Sequence, residues 1–158
     1  MAACLAILIV GATLASNLTN RTPVQSELPI DGTSAIEECT SLEELSTKVG
    51  FPVEGLSDLP FEAQQTTYTS YWGELAQIEY SGTDGQTALY RKSLGTDDNS
   101  GNYDSFENAL QMTIDGIDVT IKGSGENYSL AWWTDGTYAY SVCLSESASQ
   151  TAWKAIIR

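Results

Sequence analysis

Histidine is absent from this chain of 158 residues. Because histidine is the side chain that most often exchanges protons near neutral pH, its absence excludes Ser-His and Cys-His nucleophile pairs and histidine-ligated metal sites. Basic side chains are also scarce: seven Lys and Arg stand against 21 Asp and Glu, giving a formal net charge of −14. Such a surface repels nucleic acid and anionic lipid heads, so we expect no nucleic-acid partner. Two interpretations of the acidity stay open, namely solubility outside the cytoplasm and binding of cations or a basic partner.

Long apolar runs are also lacking, apart from Met1–Ala15. That run is shorter than the ~20 residues that a membrane span needs, and it has the length of a signal-peptide core. No Lys or Arg precedes it, although either role requires a basic flank. We interpret residues 1–15 as a truncated transmembrane or signal segment whose true start lies upstream. Residues 16–35, which lack periodicity, are predicted to be a flexible linker, and residues 36–158 the folded domain.

Cysteine is rare, with three residues in the chain. Cys4 lies in the apolar run, where it is interpreted as a small apolar residue. Cys39 and Cys143 could form a disulfide, which would contribute ~4–5 kcal/mol in the chain-entropy model and tie the first helix to the last strand. Two buried thiols are the alternative interpretation.

Alternation of apolar and polar residues is what the sequence has in quantity, and it is clearest in Leu110–Ile121. Asp115-Gly116 interrupts the alternation and suits a two-residue type I′ turn, because both central residues need positive φ. The segment therefore predicts a β-hairpin. The predicted pairs are Leu110 with Ile121, Met112 with Val119 and Ile114 with Ile117, with all six side chains on one face.

The rest of the domain predicts further strands between two helices. The first helix should begin at Ser41, with Glu44 in the capping-box position, and end at Gly50. The last should be capped by Ser147 and present an apolar stripe at helical spacing. The predicted fold is α+β: a curved antiparallel meander of about five to seven strands, with a short N-terminal helix and a C-terminal helix packed on the sheet. The stripe residues are Ala152, Trp153, Ile156 and Ile157, and the other predicted strands are Gln64–Trp72, Leu75–Tyr80, Thr87–Lys92, Tyr128–Trp133 and Tyr138–Leu144.

Aromatic residues offer one kind of candidate site. Trp132 and Trp133 are neighbours on a predicted strand, so they point to opposite faces of the sheet. Both could be packing residues. Alternatively, one Trp together with strand tyrosines lines a groove for a glycan or a peptide. The candidate aromatic surface consists of Tyr71, Trp133 and Tyr138.

Acidic residues offer two weaker candidates. The segment Asp97–Asp104 has the composition of a calcium loop, but its spacing fails, because Tyr103 stands where glycine is required and Ala109 where the bidentate glutamate belongs. A turn capped by its own Asp, Asn and Ser side chains is the simpler interpretation, and we expect no metal site and no cofactor. Paired carboxylates could hydrolyse glycosidic bonds, yet no spacing singles out one pair among 21 acids.

Five segments of the chain carry a resemblance to a known family: Gly50–Val53, Ile78–Tyr80, Tyr90–Gly95, Asp98–Tyr103 and Trp133–Ser141. The Tyr-Arg and Ser-Gly-Asn-Tyr elements are the most specific of them. Together they resemble an uncharacterised family of domains of unknown function. Members form the extracytoplasmic end of membrane-anchored proteins, largely from Gram-positive bacteria, and some are attached to anti-sigma-factor-like regulators. The resemblance covers about Ile36–Arg158. It departs from the family at Asn99, where an apolar residue is common, and in the missing basic flank.

The resemblance implies a non-catalytic sensory or binding domain outside the cytoplasm, tethered to the membrane through its N-terminal segment or secreted if that segment is cleaved. Its ligand would be an unknown protein, peptide or glycan, and no catalytic residue can be carried over from the family. The alternative is a secreted or cell-wall-associated hydrolase that uses paired carboxylates. Arg91 would either hold the following loop by charge-assisted hydrogen bonds or bind an anionic group in a cleft. The residues considered with it are Asp98, Ser100, Gly101 and Tyr103.

Overall fold

The computed structural model describes residues 35–157, so the predicted apolar segment 1–15 and residues 16–34 of the predicted linker lie outside the described part. No helix within residues 35–157 is long and apolar enough to cross a membrane. In chain order the elements are β1 (Ile36–Cys39), α1 (Leu42–Val49), β2 (Gln65–Tyr71), β3 (Leu75–Ser81), a 3₁₀ turn (Thr83–Gly85), β4 (Thr87–Leu94), β5 (Asn108–Ile114), β6 (Ile117–Ser124), β7 (Asn127–Thr134), β8 (Tyr138–Ser149) and α2 (Gln150–Ile156).

All eight of these strands belong to one antiparallel sheet with the order β1-β2-β3-β4-β8-β7-β6-β5. The predicted α+β class and antiparallel sheet are confirmed, but the strand count is higher than predicted. The chain makes two four-stranded meanders rather than one, and they join where β4 pairs with β8. The missed strand, β1, has four residues of which two are Glu, too short and too polar for a period-two pattern. The connection from β4 to β5 must cross the sheet, because β4 is central and β5 lies at an edge.

The predicted hairpin is confirmed as β5 and β6. The register pairs Leu110 with Ile121, Met112 with Val119 and Ile114 with Ile117, as the alternation requires. Asp115 and Gly116 have φ of 47° and 85°, the two positive values of a type I′ turn. The six aliphatic side chains all join or pack against the hydrophobic core.

Cross-strand register assigns every strand residue to one of two faces. The helix face carries the core, which includes Ile78, Tyr90 and Val142 in adjacent strands, and both helices pack on it through Leu45 and Trp153. The opposite face is called the strap face, because the chain between β4 and β5 lies against it. Its central residues are Gln77, Leu89, Arg91, Leu130, Trp132 and Cys143.

Helix α1 begins and ends as predicted. The Ser41 hydroxyl accepts a hydrogen bond from the Glu44 backbone N–H at 3.2 Å, and Gly50 is the C-terminal cap. The Glu44 carboxylate accepts from the backbone N–H and the hydroxyl of Thr40, both at 2.7 Å. The reciprocal bond of the capping box is therefore displaced by one residue toward the N-terminus.

Helix α2 begins later than predicted. Ser149 is its cap rather than Ser147, and the Ser149 hydroxyl accepts from the Ala152 N–H at 3.4 Å. The reason is that β8 continues to Ser149, which still pairs with Asn127 of β7. The apolar stripe is confirmed: Trp153, Ile156 and Ile157 are buried against the sheet.

The Cys39–Cys143 disulfide, one of the two interpretations that the sequence left open, is not formed in this fold, in which both residues are free thiols. Cys39 lies on the helix face in the edge strand β1, whereas Cys143 lies on the strap face in β8. Four strand spacings of about 4.8 Å separate β1 from β8, far beyond the reach of a disulfide. Of the two interpretations, the structure has the two thiols.

Candidate functional site

Residues 95–107, called the strap, connect β4 to β5 across the strap face. Arg91 of β4 anchors the strap from below. Its Nη1 donates to the carbonyl oxygen of Ser100 at 2.5 Å and more weakly to that of Asn99 at 3.4 Å, while its Nε donates to Gln77 Oε1 at 3.0 Å. The guanidinium therefore ties two successive carbonyls of the strap to the adjacent strand β3. Arg91 holds the loop, as one interpretation expected, but through carbonyls rather than through the nearby carboxylates.

The same contact explains the glycine in the Ser-Gly-Asn-Tyr element. Gly101 has φ of 63°, and a Cβ at that position would overlap Nη1 of Arg91. Any larger residue would push the guanidinium away from the Ser100 carbonyl. Ser100 itself is buried, whereas the Tyr103 side chain is 97% exposed. The structure thus brings Arg91, Ser100 and Gly101 together and leaves Tyr103 outside that cluster.

Asp98 is the second anchor of the strap. Its Oδ1 accepts from the Ser100 N–H at 2.9 Å and its Oδ2 pairs with Lys122 Nζ of β6 at 3.1 Å. Burial by itself would raise the pKa of the Asp98 carboxyl, but the hydrogen bonds from Ser100 and Lys122 outweigh it and hold the pKa below its ordinary value. The ionised carboxylate is therefore the form that the strap favours.

Asp98→Asn should make the domain less sensitive to acid. The unfolded-state pKa of Asp is about 3.9 and the folded-state pKa is lower, so the stabilisation is complete above the unfolded value and is lost as the pH falls through the folded value. The difference in free energy of unfolding between wild type and Asp98→Asn should narrow as the pH falls below about 5. Urea unfolding at several pH values measures it. Asp97→Asn is the control, and a difference that stays constant with pH would contradict the expectation.

On the helix face, a second group of side chains surrounds Lys92. The Lys92 cluster is defined as Phe51, Lys92, Trp133, Tyr138 and Tyr140. Lys92 Nζ lies 4.4 Å from the ring centroid of Tyr138, 5.3 Å from that of Tyr140 and 5.7 Å from that of Phe51. It also donates to the Pro52 carbonyl at 2.7 Å. Aromatic ring faces and one carbonyl thus hold the amine, with no ion pair to it among the described residues.

Strand register assembles this cluster. Lys92 stands opposite Tyr140 in the β4–β8 pair, and Trp133 stands opposite Tyr140 in the β7–β8 pair. The Trp133 and Tyr140 rings stack at 5.3 Å with planes 6° apart. Phe51, the second residue after α1, brings its ring to 5.2 Å from Tyr138. Three strands and the chain after α1 therefore meet here.

The electrostatics of the cluster link it to the β7–β8 turn. Burial lowers the pKa of Lys92, against the opposing charges of Asp135 and Glu54. The Tyr140 hydroxyl donates to Asp135 Oδ2 at 2.7 Å, and burial together with this bond raises the pKa of Tyr140. Asp135 also accepts from two backbone N–H groups of its own turn. The Tyr140 ring is therefore fixed in orientation by Trp133 on one face and by Asp135 at its hydroxyl group.

Part of the cluster reaches solvent. Phe51, Lys92 and Trp133 are buried, while Tyr138 and Tyr140 are half-buried and Asp135 is exposed. Leu94, opposite Tyr138 across the β4–β8 pair, is 64% exposed. This arrangement can stack flat or apolar groups on tyrosine rings at the rim while the buried members keep those rings in position.

The three residues of the predicted aromatic surface separate into two places. Trp133 and Tyr138 belong to the Lys92 cluster, where Tyr140 lies between them. Tyr71 lies on the strap face in β2 and packs against Trp72, with ring centroids 5.8 Å apart. Strand alternation and strand order separate it from the other two. The sequence prediction missed three members or neighbours of this cluster, Phe51, Lys92 and Asp135. Lys92 lies on the same face of β4 as Ala88 and Tyr90, and this alternation could have indicated that it is buried.

Residues 35–157 contain no group of three or more Cys, Asp or Glu side chains that could hold a metal ion. No family model, curated protein or solved structure matches this chain. Function is therefore inferred from the geometry of the domain.

Proposed function

We propose that this chain is a non-catalytic binding domain that works outside the cytoplasm, tethered through its N-terminal segment, and that its ligand is a glycan or a peptide of the cell envelope. Ligand binding would change the signal that the tether transmits to the cytoplasm, in the manner of an anti-sigma-type regulator. The observation that carries the proposal is the Lys92 cluster: half-exposed Tyr138 and Tyr140 rings over a buried, ordered base.

The cluster suits binding because its rings are already fixed. Tyr140 is held by Trp133 on one side and by the bond to Asp135, and Tyr138 by Phe51 and the Lys92 amine. Tyrosine presents a large contact area while losing little conformational freedom, and a preorganised surface loses less still when a ligand binds. Sugar rings and peptide side chains both stack on such rings.

Three carboxylates have pKa values that do not suit the general acid of a glycosidase. A glycosidase needs one carboxyl group with a raised pKa to act as the general acid. Hydrogen bonds from Thr40 hold the pKa of Glu44 below its ordinary value. The pKa values of Asp98 and Asp135 are also lowered, because hydrogen-bond donors outweigh their burial. Each of these three groups is stabilised as an acceptor rather than as a proton donor.

The test measures binding and cleavage with the same probes. Soluble peptidoglycan fragments are titrated into the full chain, and intrinsic tryptophan fluorescence reports binding because Trp133 stacks on Tyr140. We expect saturable binding without cleavage, weakened at least about tenfold by Tyr138→Ala or Tyr140→Ala. Tyr71→Ala, the same change on the opposite face, is the control and should leave the affinity unchanged.

Chemical-shift mapping on the wild-type chain covers the case in which a tyrosine variant is poorly folded. Fragments should shift the resonances of Tyr138, Tyr140 and Asp135 and not those of Tyr71. Cleavage of the fragments, binding that maps elsewhere, or no binding at all would overturn the proposal.

A further inference from the structure

The two edges of the sheet are protected very differently. β1 is short, and two of its four residues are Glu. Short length and charge are the usual devices by which an edge strand avoids pairing with another chain. β5 has seven residues, Asn-Ala-Leu-Gln-Met-Thr-Ile, with neither charge nor proline, and its register with β6 is unbroken over all seven. β5 therefore lacks every one of these devices.

The geometry of the hairpin determines which main-chain groups of β5 face outward. A two-residue loop makes Ile114 and Ile117 a hydrogen-bonded pair, and pairing then alternates along the strand. The N–H and C=O groups of Ala109, Gln111 and Thr113 consequently point away from β6. No described residue forms a hydrogen bond with these groups. Three donors and three acceptors are thus arranged as the template for a further antiparallel strand.

Side chains beside this edge favour an occupant with alternating apolar residues. Leu110 and Met112 lie on the helix face and are only half-buried, so the core is incompletely covered there. A strand added about 4.8 Å away would place every second side chain next to them. On the strap face a depression of about 320 Å³ lies along the hairpin, lined in part by Gln111, Thr113 and Thr120, and would accept the polar side chains.

Charge favours a basic occupant over a second copy of the chain. Glu107 and Asp115 flank the strand at its two ends. If two β5 strands paired about Gln111, each Glu107 would oppose the Asp115 of the other copy, and like charges placed opposite each other are destabilising. Each copy also carries a net charge of −14. Lysine or arginine at the ends of an incoming strand would instead meet a carboxylate at each end.

We propose that the outer edge of β5 binds an extended segment of a partner protein by strand addition. This segment has alternating apolar residues and a basic residue at each end. This role goes beyond ligand binding at the Lys92 cluster, and it uses other residues, so the two can fail independently. Main-chain hydrogen bonds would provide affinity, while the flanking charges select the partner and its register.

The experiment uses two peptides of about nine residues that alternate Thr and Val and differ in their ends, one with Lys at both ends and the other with Glu. Binding to the full chain is followed by fluorescence anisotropy. The Lys-ended peptide should bind at least about tenfold more tightly than the Glu-ended one, and added salt should reduce the difference. Amide hydrogen exchange of Ala109, Gln111 and Thr113 should slow at least about tenfold in the complex.

Gln111→Pro removes one outward N–H without removing a β5–β6 bond, and proline is tolerated at that position of an edge strand. It should weaken binding at least about tenfold, whereas Gln111→Thr keeps the N–H and should stay within about twofold. Equal affinity for the two peptides, or binding without protection of the three amides, would overturn the proposal. A dimer in sedimentation that protects these amides in the absence of peptide would assign the edge to a second copy and overturn it as well.

Discussion

Trp153→Ala should lower the free energy of unfolding by about 3–5 kcal/mol, one of the largest losses available to a single substitution in this domain. Trp153 is fully buried, and its indole fills the space between α2 and the sheet. Its Nε1–H also donates to the Tyr128 carbonyl of β7 at 3.0 Å. Alanine would leave a cavity and would remove this buried hydrogen bond.

Chemical denaturation followed by far-UV circular dichroism measures this loss. Trp153→Phe keeps most of the volume and loses the hydrogen bond, so it should fall between wild type and Trp153→Ala. Trp72→Ala removes an indole that is 67% exposed and should change stability by less than about 0.5 kcal/mol. A loss below about 1 kcal/mol for Trp153→Ala would mean that α2 does not dock on the sheet through this residue.

Local sequence patterns correctly predicted the elements that depend on contacts between residues close together in the sequence. The β5–β6 hairpin follows from alternation and from an Asp-Gly pair that accepts positive φ, so both its register and its core-facing side were predictable. The stripe on α2 follows in the same way from helical spacing. The predicted start of α2 was wrong, because Ser147 and Ser149 are both plausible helix caps. Only the pairing of Ser149 with Asn127 on another strand decides between them.

The pairing of strands that are distant in the sequence could not be predicted from the alternation of apolar and polar residues. Nothing in β4 indicates that its second neighbour is β8 rather than β5, and without that pairing Lys92 has no reason to meet Tyr140. Lysine is also expected at the surface, which directs attention away from a buried one. In the strap, the local turn at Asp98 and Ser100 was predictable, whereas the bonds from Arg91 to the strap carbonyls depend on where the chain crosses the sheet.

Gly123→Ala should destabilise the domain by about 3 kcal/mol or more, because the added methyl group meets main chain rather than a movable side chain. Gly123 lies where the β6–β7 register shifts, paired with Tyr128. A Cβ there would be 2.5 Å from the Tyr128 Cα and would overlap the Asn127 carbonyl oxygen. Relief requires β7 to move away from β6. The φ of Gly123 lies outside the left-handed region, so without this contact alanine would stabilise the chain by about 0.4–1 kcal/mol through the unfolded state.

The test is therefore whether Gly123→Ala lowers or raises the free energy of unfolding. Gly125→Ala, two residues away, is the matched control. Gly125 has φ of 60° and nothing within 4 Å of the added Cβ, so it should lose only the ~1–2 kcal/mol of a left-handed alanine. Displacing Tyr128 also moves the carbonyl that accepts from Trp153. Gly123→Ala and Trp153→Phe should for that reason be non-additive in a double-mutant cycle, with the combined loss smaller than the sum. Additive losses, or a Gly123→Ala variant as stable as wild type, would contradict the close approach of β6 and β7 at this bulge.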